Sequence, residues 1–411
     1  MISGELATAL AEEFGTPLYV YDLGDIDERS FELRALLPRE SKLLYSMKAN
    51  PLPAVAATAR LAGCGVEISS EGELAAAVEA GFESAAMVYT GPAKGERELR
   101  RAARLGVGCF SAESLLDLER IAAAARRAST TARVILRINP TAAPRARLAM
   151  TGVASHFGFE ETELESLSAR ISAVADVDVA GIHVYLGTQV ADADALAEAF
   201  RIALDAAERM AAVFRIRVID LGGGFPWPFA SNEAAPNLAP LAAPLRSLVE
   251  SRVSSSGAEL WFESGRYIAA SCGTMLARVM DVKRSRATTF YLLDAGVSHL
   301  GGMSGLGRVL RPAASLVAIE RDSSGESIIA DIVGPLCTPL DCLARAVSVP
   351  EVEPGELVAI PNVGAYGATA SLSGFLSRPT AIEVSVRGEE VVSVARLRGG
   401  HEPLRRATGA N

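Results

Sequence analysis

The sequence contains only four histidines, and none stands at metal-ligand spacing from another. No metal is therefore expected, nor a hydrolase built on a Ser-His-Asp triad. Its five cysteines include no CxxC pair. An odd, scattered set fits reduced thiols in a cytosol better than a disulfide framework. No apolar run approaches the roughly 20 residues of a membrane span. The opening MISGELATALAEEFG is acidic where a secretory signal would be basic and then apolar, so a cytoplasmic protein is expected. The formal net charge is −9, with acids and bases interspersed. That argues against nucleic acid or an anionic membrane as the main partner. No GxGxxG follows the first strand-like segment, which counts against a dinucleotide fold.

What is present is a regular alternation. With 411 residues the chain is too long for one small core, and a large domain plus a second is expected. Strand-like segments run through KLLYSMK, GVEISS, AMVYTG, VGCFSA, RVILRINP, GIHVYLG, RVIDLGGG and LWFESG. Helical segments such as GELAAAVEAG and ERELRRAARLG lie between them. Eight strands separated by helices is the count that closes a (β/α)8 TIM barrel, predicted here over 26–268. After ESGR the texture changes to Val, Ile and Leu segments broken by Gly, Pro and Asp turns. A β-rich domain is predicted over 269–411, and it takes in 1–25 because the strand-like TPLYVYD has no barrel strand before it.

The polar residues fall at the ends of these strands. YSMKANP places Lys48 at the inner end of an apolar strand, where an ammonium is costly unless something compensates it. Glu67 lies in the second strand and Arg137 near the end of the fifth. Tyr185 is in the sixth, Gly222, Gly223 and Gly224 end the seventh, and Glu263 with Arg266 closes the eighth. Barrel enzymes build their sites at the C-terminal ends of strands. A desolvated lysine there suits Schiff-base chemistry. A triglycine lets backbone N–H groups approach a phosphate, and Arg266 adds charge-assisted bonds. An acid such as Glu263 keeps a pyridine nitrogen protonated. Lysine, phosphate cradle and pyridine partner together describe pyridoxal 5′-phosphate.

With those residues in view, the sequence resembles the fold-type III pyridoxal-phosphate-dependent decarboxylases, the group of diaminopimelate and ornithine decarboxylases. The resemblance runs through FGTPLYVYD, YSMKANP, GVEISSEGEL, LRIN, DLGGGFP, ESGR, LLDAG, GPLCTPLD and GAYGATAS. It implies that Lys48 carries the cofactor as an internal aldimine and that Glu263 holds the pyridine nitrogen. It implies a phosphate site of Gly222, Gly223, Gly224, Gly265, Arg266 and Tyr366, with Glu67, Glu73, Arg137, Tyr185 and Thr188 around the cofactor. Cys337 would deliver a proton after carbon dioxide leaves, acting from the neighbouring subunit of a homodimer with shared sites. Asp294, Arg311, Thr338 and Asp341 match substrate-binding positions.

The departures fall mainly on substrate recognition. Tyr185 stands where the family stacks a histidine on the ring, and Thr188 replaces a serine. Thr338 takes the place of an acid that meets a distal ammonium. Ser315 stands for a tyrosine, His156-Phe157-Gly158 for Lys-Phe-Gly, and Phe375-Leu376-Ser377-Arg378-Pro379 for an asparagine-containing turn. Without the acid a free diamino acid loses a partner worth about 1.5–3 kcal/mol. CTPLD with FLSRP is similar to the branch acting in specialised metabolism, including on carrier-protein-bound aminoacyl groups and siderophore precursors. Three alternatives stay open: a diaminopimelate decarboxylase, a racemase on the same fold, and a non-catalytic binder of the cofactor. Retention of Lys48, Cys337 and the cradle counts against the last.

Overall fold

Each of the eight strand-like segments becomes a parallel strand of one closed barrel. In the computed structural model, which describes residues 2–142, 146–149, 154–253, 257–301, 313–319 and 327–398, these are β1 (Lys42–Ser46), β2 (Gly65–Ile68), β3 (Met87–Tyr89), β4 (Cys109–Ala112), β5 (Ala132–Asn139), β6 (Val177–His183), β7 (Val218–Asp220) and β8 (Glu259–Ser264). They pair in the order β4-β3-β2-β1-β8-β7-β6-β5, and β4 pairs with β5 to close the ring. Three of the helices between them start from side-chain caps that the sequence supplies. Ser70, Ser114 and Asp192 each accept the backbone N–H three residues on, at Glu73, Asp117 and Ala195.

The barrel interior is filled in two layers. Leu44, Val88, Cys109, Ile135, Ala180, Val218 and Trp261, one from each of seven strands, form a single buried apolar cluster. The remaining strand, β2, offers Gly65, where a Cβ would lie 2.7 Å from the Leu44 side chain. Glycine leaves the space that leucine fills. One pleat further along each strand the side chains on the same face are polar, as the two-residue strand period requires. They are Ser46, Glu67, Thr90, Ser111, Arg137, His183, Asp220 and Glu263, and all eight are buried. On β6 the step takes three residues, from Ala180 to His183, where the register against β5 shifts between Val179 and Gly181. An apolar plug thus carries a complete polar ring at the end of the barrel where a TIM-barrel site belongs.

The chain divides into two units. The barrel unit comprises 23–228 and 234–271, and the other comprises 1–22, 229–233 and 272–411. The second unit is β-rich. Its strand Leu18–Asp22 lies between Gly273–Ser285, to which it is antiparallel, and Ile382–Arg387, to which it is parallel. Gly273–Ser285 also pairs with Thr288–Leu293 and Leu357–Ile360. Leu18, Val20, Leu276, Leu357 and Val384 pack there against Ala7 and Leu10 of the helix Gly4–Phe14. No helix among the described residues is long and apolar enough to cross a membrane.

Candidate active site

Lys48 follows β1, two residues beyond its last strand residue. Its Nζ lies 3.0 and 2.9 Å from the two oxygens of Glu67 and 5.8 Å from the centre of the Tyr185 ring. The lysine side chain is 39% exposed, whereas Glu67 is 1% exposed, so the ammonium faces the barrel mouth and its counter-ion lies beneath it. Oε1 of Glu67 also accepts from the Ser69 hydroxyl at 3.1 Å and from the Thr90 hydroxyl. Burial alone would push Glu67 up, but Lys48 and the Thr90 hydroxyl bring it down to about 2. It is ionised at neutral pH, and this answers how the strand-end lysine is compensated. Glu73 sits just beyond, where its Oε2 accepts the Ser69 N–H at 2.7 Å. Burial and then the charge of Glu67 push Glu73 up to about 7.

On the opposite arc, His183 Nε2 stands 3.5 Å from Glu263 Oε1. Together with a carboxylate oxygen of Asp220 these donor atoms lie within 4.8 Å of one another. The imidazole is fixed through Nδ1, which is 2.9 Å from the Ser111 hydroxyl. Oε1 of Glu263, Oδ2 of Asp220 and Nε2 of His183 are buried without a hydrogen-bond partner. Burial, followed by the charge of Glu67, raises both acids, Asp220 to about 7 and Glu263 well above the carboxylate range. Burial and then Arg137 hold His183 well below the usual imidazole range. The ring therefore sets an ionised Glu67 on one side against a Glu263 on the other whose carboxyl holds its proton more tightly than usual.

The glycine run leaves β7 beside this cluster. Gly222 N–H donates to Asp220 Oδ1 at 2.9 Å, and its carbonyl accepts from Glu263 N–H at 2.7 Å. Gly222 and Gly224 have φ of +63° and +99°. A Cβ on Gly223 would lie 2.0 Å from the Glu263 carbonyl, so this turn approaches β8 as closely as backbone allows. Gly265 and Arg266 follow β8, and Arg266 is buried. A Cβ on Gly265 would come within 2.7 Å of Ala49, next to Lys48.

Arg137 reaches the same region over Tyr185, its guanidinium carbon 6.0 Å from that ring and 4.5 Å from the Phe157 ring. Its Nη1 donates to Glu113 Oε1 at 2.9 Å, and Glu113 Oε2 accepts the Gly158 N–H at 3.2 Å. Glu113 is anchored in turn, because its N–H and the buried Lys94 ammonium both donate to Asp117 Oδ2, at 3.1 and 2.6 Å. Thr188 sits half-buried in the strand Gly187–Val190, just after Tyr185.

The remaining residues belong to the β-rich unit. Cys337 is exposed on the loop Gly334–Asp341. Asp341 is buried, its Oδ1 accepting Val297 N–H and its Oδ2 accepting Leu336 N–H, both at 2.7 Å. Its carboxylate therefore braces the cysteine loop. Thr338 is half-buried, and its hydroxyl accepts Leu340 N–H at 3.3 Å. Asp294 accepts from the Thr16 hydroxyl at 2.5 Å and from Arg278 N–H at 2.9 Å. Arg378 of the FLSRP segment donates to the Pro335 carbonyl at 3.4 Å, tying that segment to the cysteine loop. The Ser315 hydroxyl accepts Asn232 N–H at 3.2 Å. Tyr366 is half-buried at a φ of +59°, a region uncommon for a non-glycine residue. Arg311 lies outside the described residues.

Sequence reasoning missed Thr90, Glu113, Asp117 and Asp220, and it quoted His183 without giving it a role. The available signal was alternation, since Asp220 and His183 each follow buried apolar strand residues at barrel-facing positions.

Residues 23–270 match the family described as pyridoxal-dependent decarboxylase, pyridoxal binding domain. The chain is 34% identical to the L-glutamyl-(BtrI acyl-carrier protein) decarboxylase of Niallia circulans, over 92% of this chain and 91% of that protein. It is 31% identical to a diaminopimelate decarboxylase of Zymomonas mobilis, over 96% and 93%. Among solved structures it is similar to diaminopimelate decarboxylase from Helicobacter pylori complexed with L-lysine, with a TM-score of 0.82, 26% identity and 96% of each chain covered.

Proposed function

The chain belongs to the fold-type III pyridoxal-phosphate-dependent decarboxylases, and on that footing we propose that it decarboxylates a glutamyl-type group carried as a thioester on a carrier protein. It is a carboxy-lyase, and its cofactor is pyridoxal 5′-phosphate. The residues present fit that cofactor. The orphaned Oε1 of Glu263 suits a pyridine nitrogen, and the turn at Gly222–Gly224 has the backbone form that a phosphate needs. When bound, the cofactor supplies an electron sink for the pair released as carbon dioxide leaves.

In this reading Lys48 holds the cofactor covalently through Nζ, and Glu67 keeps that nitrogen in place. Glu263 holds a proton at the ring nitrogen, and burial with the charges of Glu67 and Asp220 disfavours its loss. Tyr185 covers the ring, Thr188 and Glu73 lie around the cofactor, and Arg137 is set over Tyr185 by Glu113. The phosphate is taken by the glycine turn with Gly265, Arg266 and Tyr366. Cys337 returns a proton to the α-carbon, within a homodimer whose sites are shared between subunits.

Thr338, standing where an acid meets a distal ammonium in diamino-acid enzymes, carries the substrate assignment. A thioester end bears no charge and needs no acid. Chemistry also fixes how such a substrate is attached. The α-amine must be free to condense with the cofactor and the α-carboxylate free to leave, so the thioester is on the side-chain carboxyl. The test is carbon dioxide release from a side-chain glutamyl thioester, carrier-bound, against free diaminopimelate, ornithine and lysine. The thioester should be turned over with at least about tenfold higher kcat/KM than the best diamino acid. Efficient release from any of the three would overturn the substrate assignment.

A further inference from the structure

We propose that the arginine-lined groove between the helices Glu71–Glu79 and Glu96–Arg104 is where the barrel docks an acidic helix of the carrier protein, an inference that rests on the carrier-bound substrate proposed above. The second helix reads ERELRRAAR. Its four arginines, Arg97, Arg100, Arg101 and Arg104, follow i, i+3, i+4 and i+7 spacing and so share one face. Leu99, Ala102 and Ala103 are buried on the other. The arginine face borders a groove of about 570 Å³ whose lining includes Glu71, Ala75, Val78 and Leu105. Val78 and Leu105 are 46% and 44% exposed, so the groove offers apolar surface beside a basic ridge.

Charge is the first argument for the occupant. The chain is acidic overall at −9, yet this groove sets four arginines against a single lining glutamate. Glu71 pairs with Arg97 at 2.6 Å and Arg101 at 2.9 Å, and Arg100 reaches Glu96 at 3.6 Å. Among the described residues Arg104 has no carboxylate at ion-pair distance. The arginine side chains in these pairs are 41–87% exposed. Exposed pairs of this kind contribute little and exchange readily for an incoming carboxylate. An amphipathic acidic helix complements both the ridge and the apolar floor. Nucleic acid fits less well, because the basic charge is one stripe on an acidic molecule and no aromatic platform lines the groove.

Position is the second argument. Each helix enters from the C-terminal end of a barrel strand, so Glu71 and Arg97, in the first turns, lie at the mouth end of the groove. From Glu71 the chain leads back through Ser69 to Glu67, and Ser69 binds Glu67, which holds Lys48. A carrier seated here would have the mouth beside it and a substrate on a flexible arm within reach of Lys48.

The experiment compares two side-chain glutamyl thioesters, one on a phosphopantetheinylated acyl-carrier protein and one on free pantetheine. The enzymes are wild type and the variant Arg97→Glu/Arg101→Glu/Arg104→Glu. Arg104→Glu alone serves as a second variant, since it disturbs no ion pair with Glu71. Wild type should show a lower KM for the carrier-bound form, an advantage that shrinks as salt rises. The triple variant should lose about tenfold or more in kcat/KM on the carrier-bound form and keep its kinetics on the pantetheine form. The single variant should lose a smaller part in the same sense. If the carrier advantage survives in both variants, the docking site is elsewhere and the substrate assignment stands. If wild type acts on the pantetheine form without any carrier advantage, the docking inference falls. If wild type acts on neither thioester, the substrate assignment falls with it.

Discussion

At Glu67 and Asp220 the same barrel interior moves two carboxylates in opposite directions, and the reason is their neighbours. Glu67 has the Lys48 ammonium and the Thr90 and Ser69 hydroxyls, whereas Asp220 has burial and other acids. Asp220, up to about 7 when folded against about 3.9 in an unfolded chain, holds its proton more tightly in the native state. Its support for the fold is therefore fully present below about pH 4 and is lost as pH rises to about 7. Glu67, brought down to about 2, supports the fold above about pH 4.3 and loses that support as pH falls toward 2. The cofactor-free Asp220→Asn variant should therefore show a flatter Tm between about pH 4 and 7 than wild type. Thermal unfolding across that range checks it, and an unchanged slope would remove Asp220 from the account. Lys48, Glu67 and Glu263 were legible in the sequence because charge at a strand end is conspicuous. Glu113 was not, since its task is to hold Arg137, a partner that only the fold brings near.

At the scale of elements, the two-residue period of strands explains why an apolar layer is followed by a polar ring with no residue out of place except at the β6 register shift. That period and the intervening helices made the barrel readable from sequence. Gly65 was not readable as a packing residue, because its role is to leave room for Leu44 across the strand pair. The β7 turn is the sharper case. Gly223 has an ordinary φ, so its requirement for glycine comes from the Glu263 carbonyl, 2.0 Å from where a Cβ would stand. Gly223→Ala must push the β7 turn off β8, and a cost of about 1–3 kcal/mol is expected from overpacking. Because the displaced segments carry the proposed phosphate turn and Glu263, retention of pyridoxal phosphate through dialysis should fall further than stability does. Full retention in a folded variant would show that the close approach does not serve cofactor binding.

At the scale of the whole molecule, Lys48 and Cys337 lie in different units of the chain, and the proposed homodimer has each site take its lysine from one subunit and its cysteine from the other. Lys48→Ala and Cys337→Ala homodimers should each be nearly inactive. After random subunit exchange about half the dimers are mixed and carry one intact site, so activity should recover to roughly a quarter of wild type. Demonstrated exchange without recovery would place both residues in one chain. A single sequence carries little of this level, because it specifies strands and turns but leaves the arrangement of copies to surfaces that no local pattern marks.

The measurement that bears most directly on the central claim is turnover in deuterium oxide of a side-chain glutamyl thioester labelled with carbon-13 in its α-carboxylate. A decarboxylase whose α-carbon is reprotonated from Cys337 should release the labelled carbon dioxide in one-to-one ratio with product, and each product should carry a single solvent deuterium on the former α-carbon. Deuterium exchanged into substrate that keeps its labelled carboxylate, without carbon dioxide, would be the outcome of a racemase and would contradict the account.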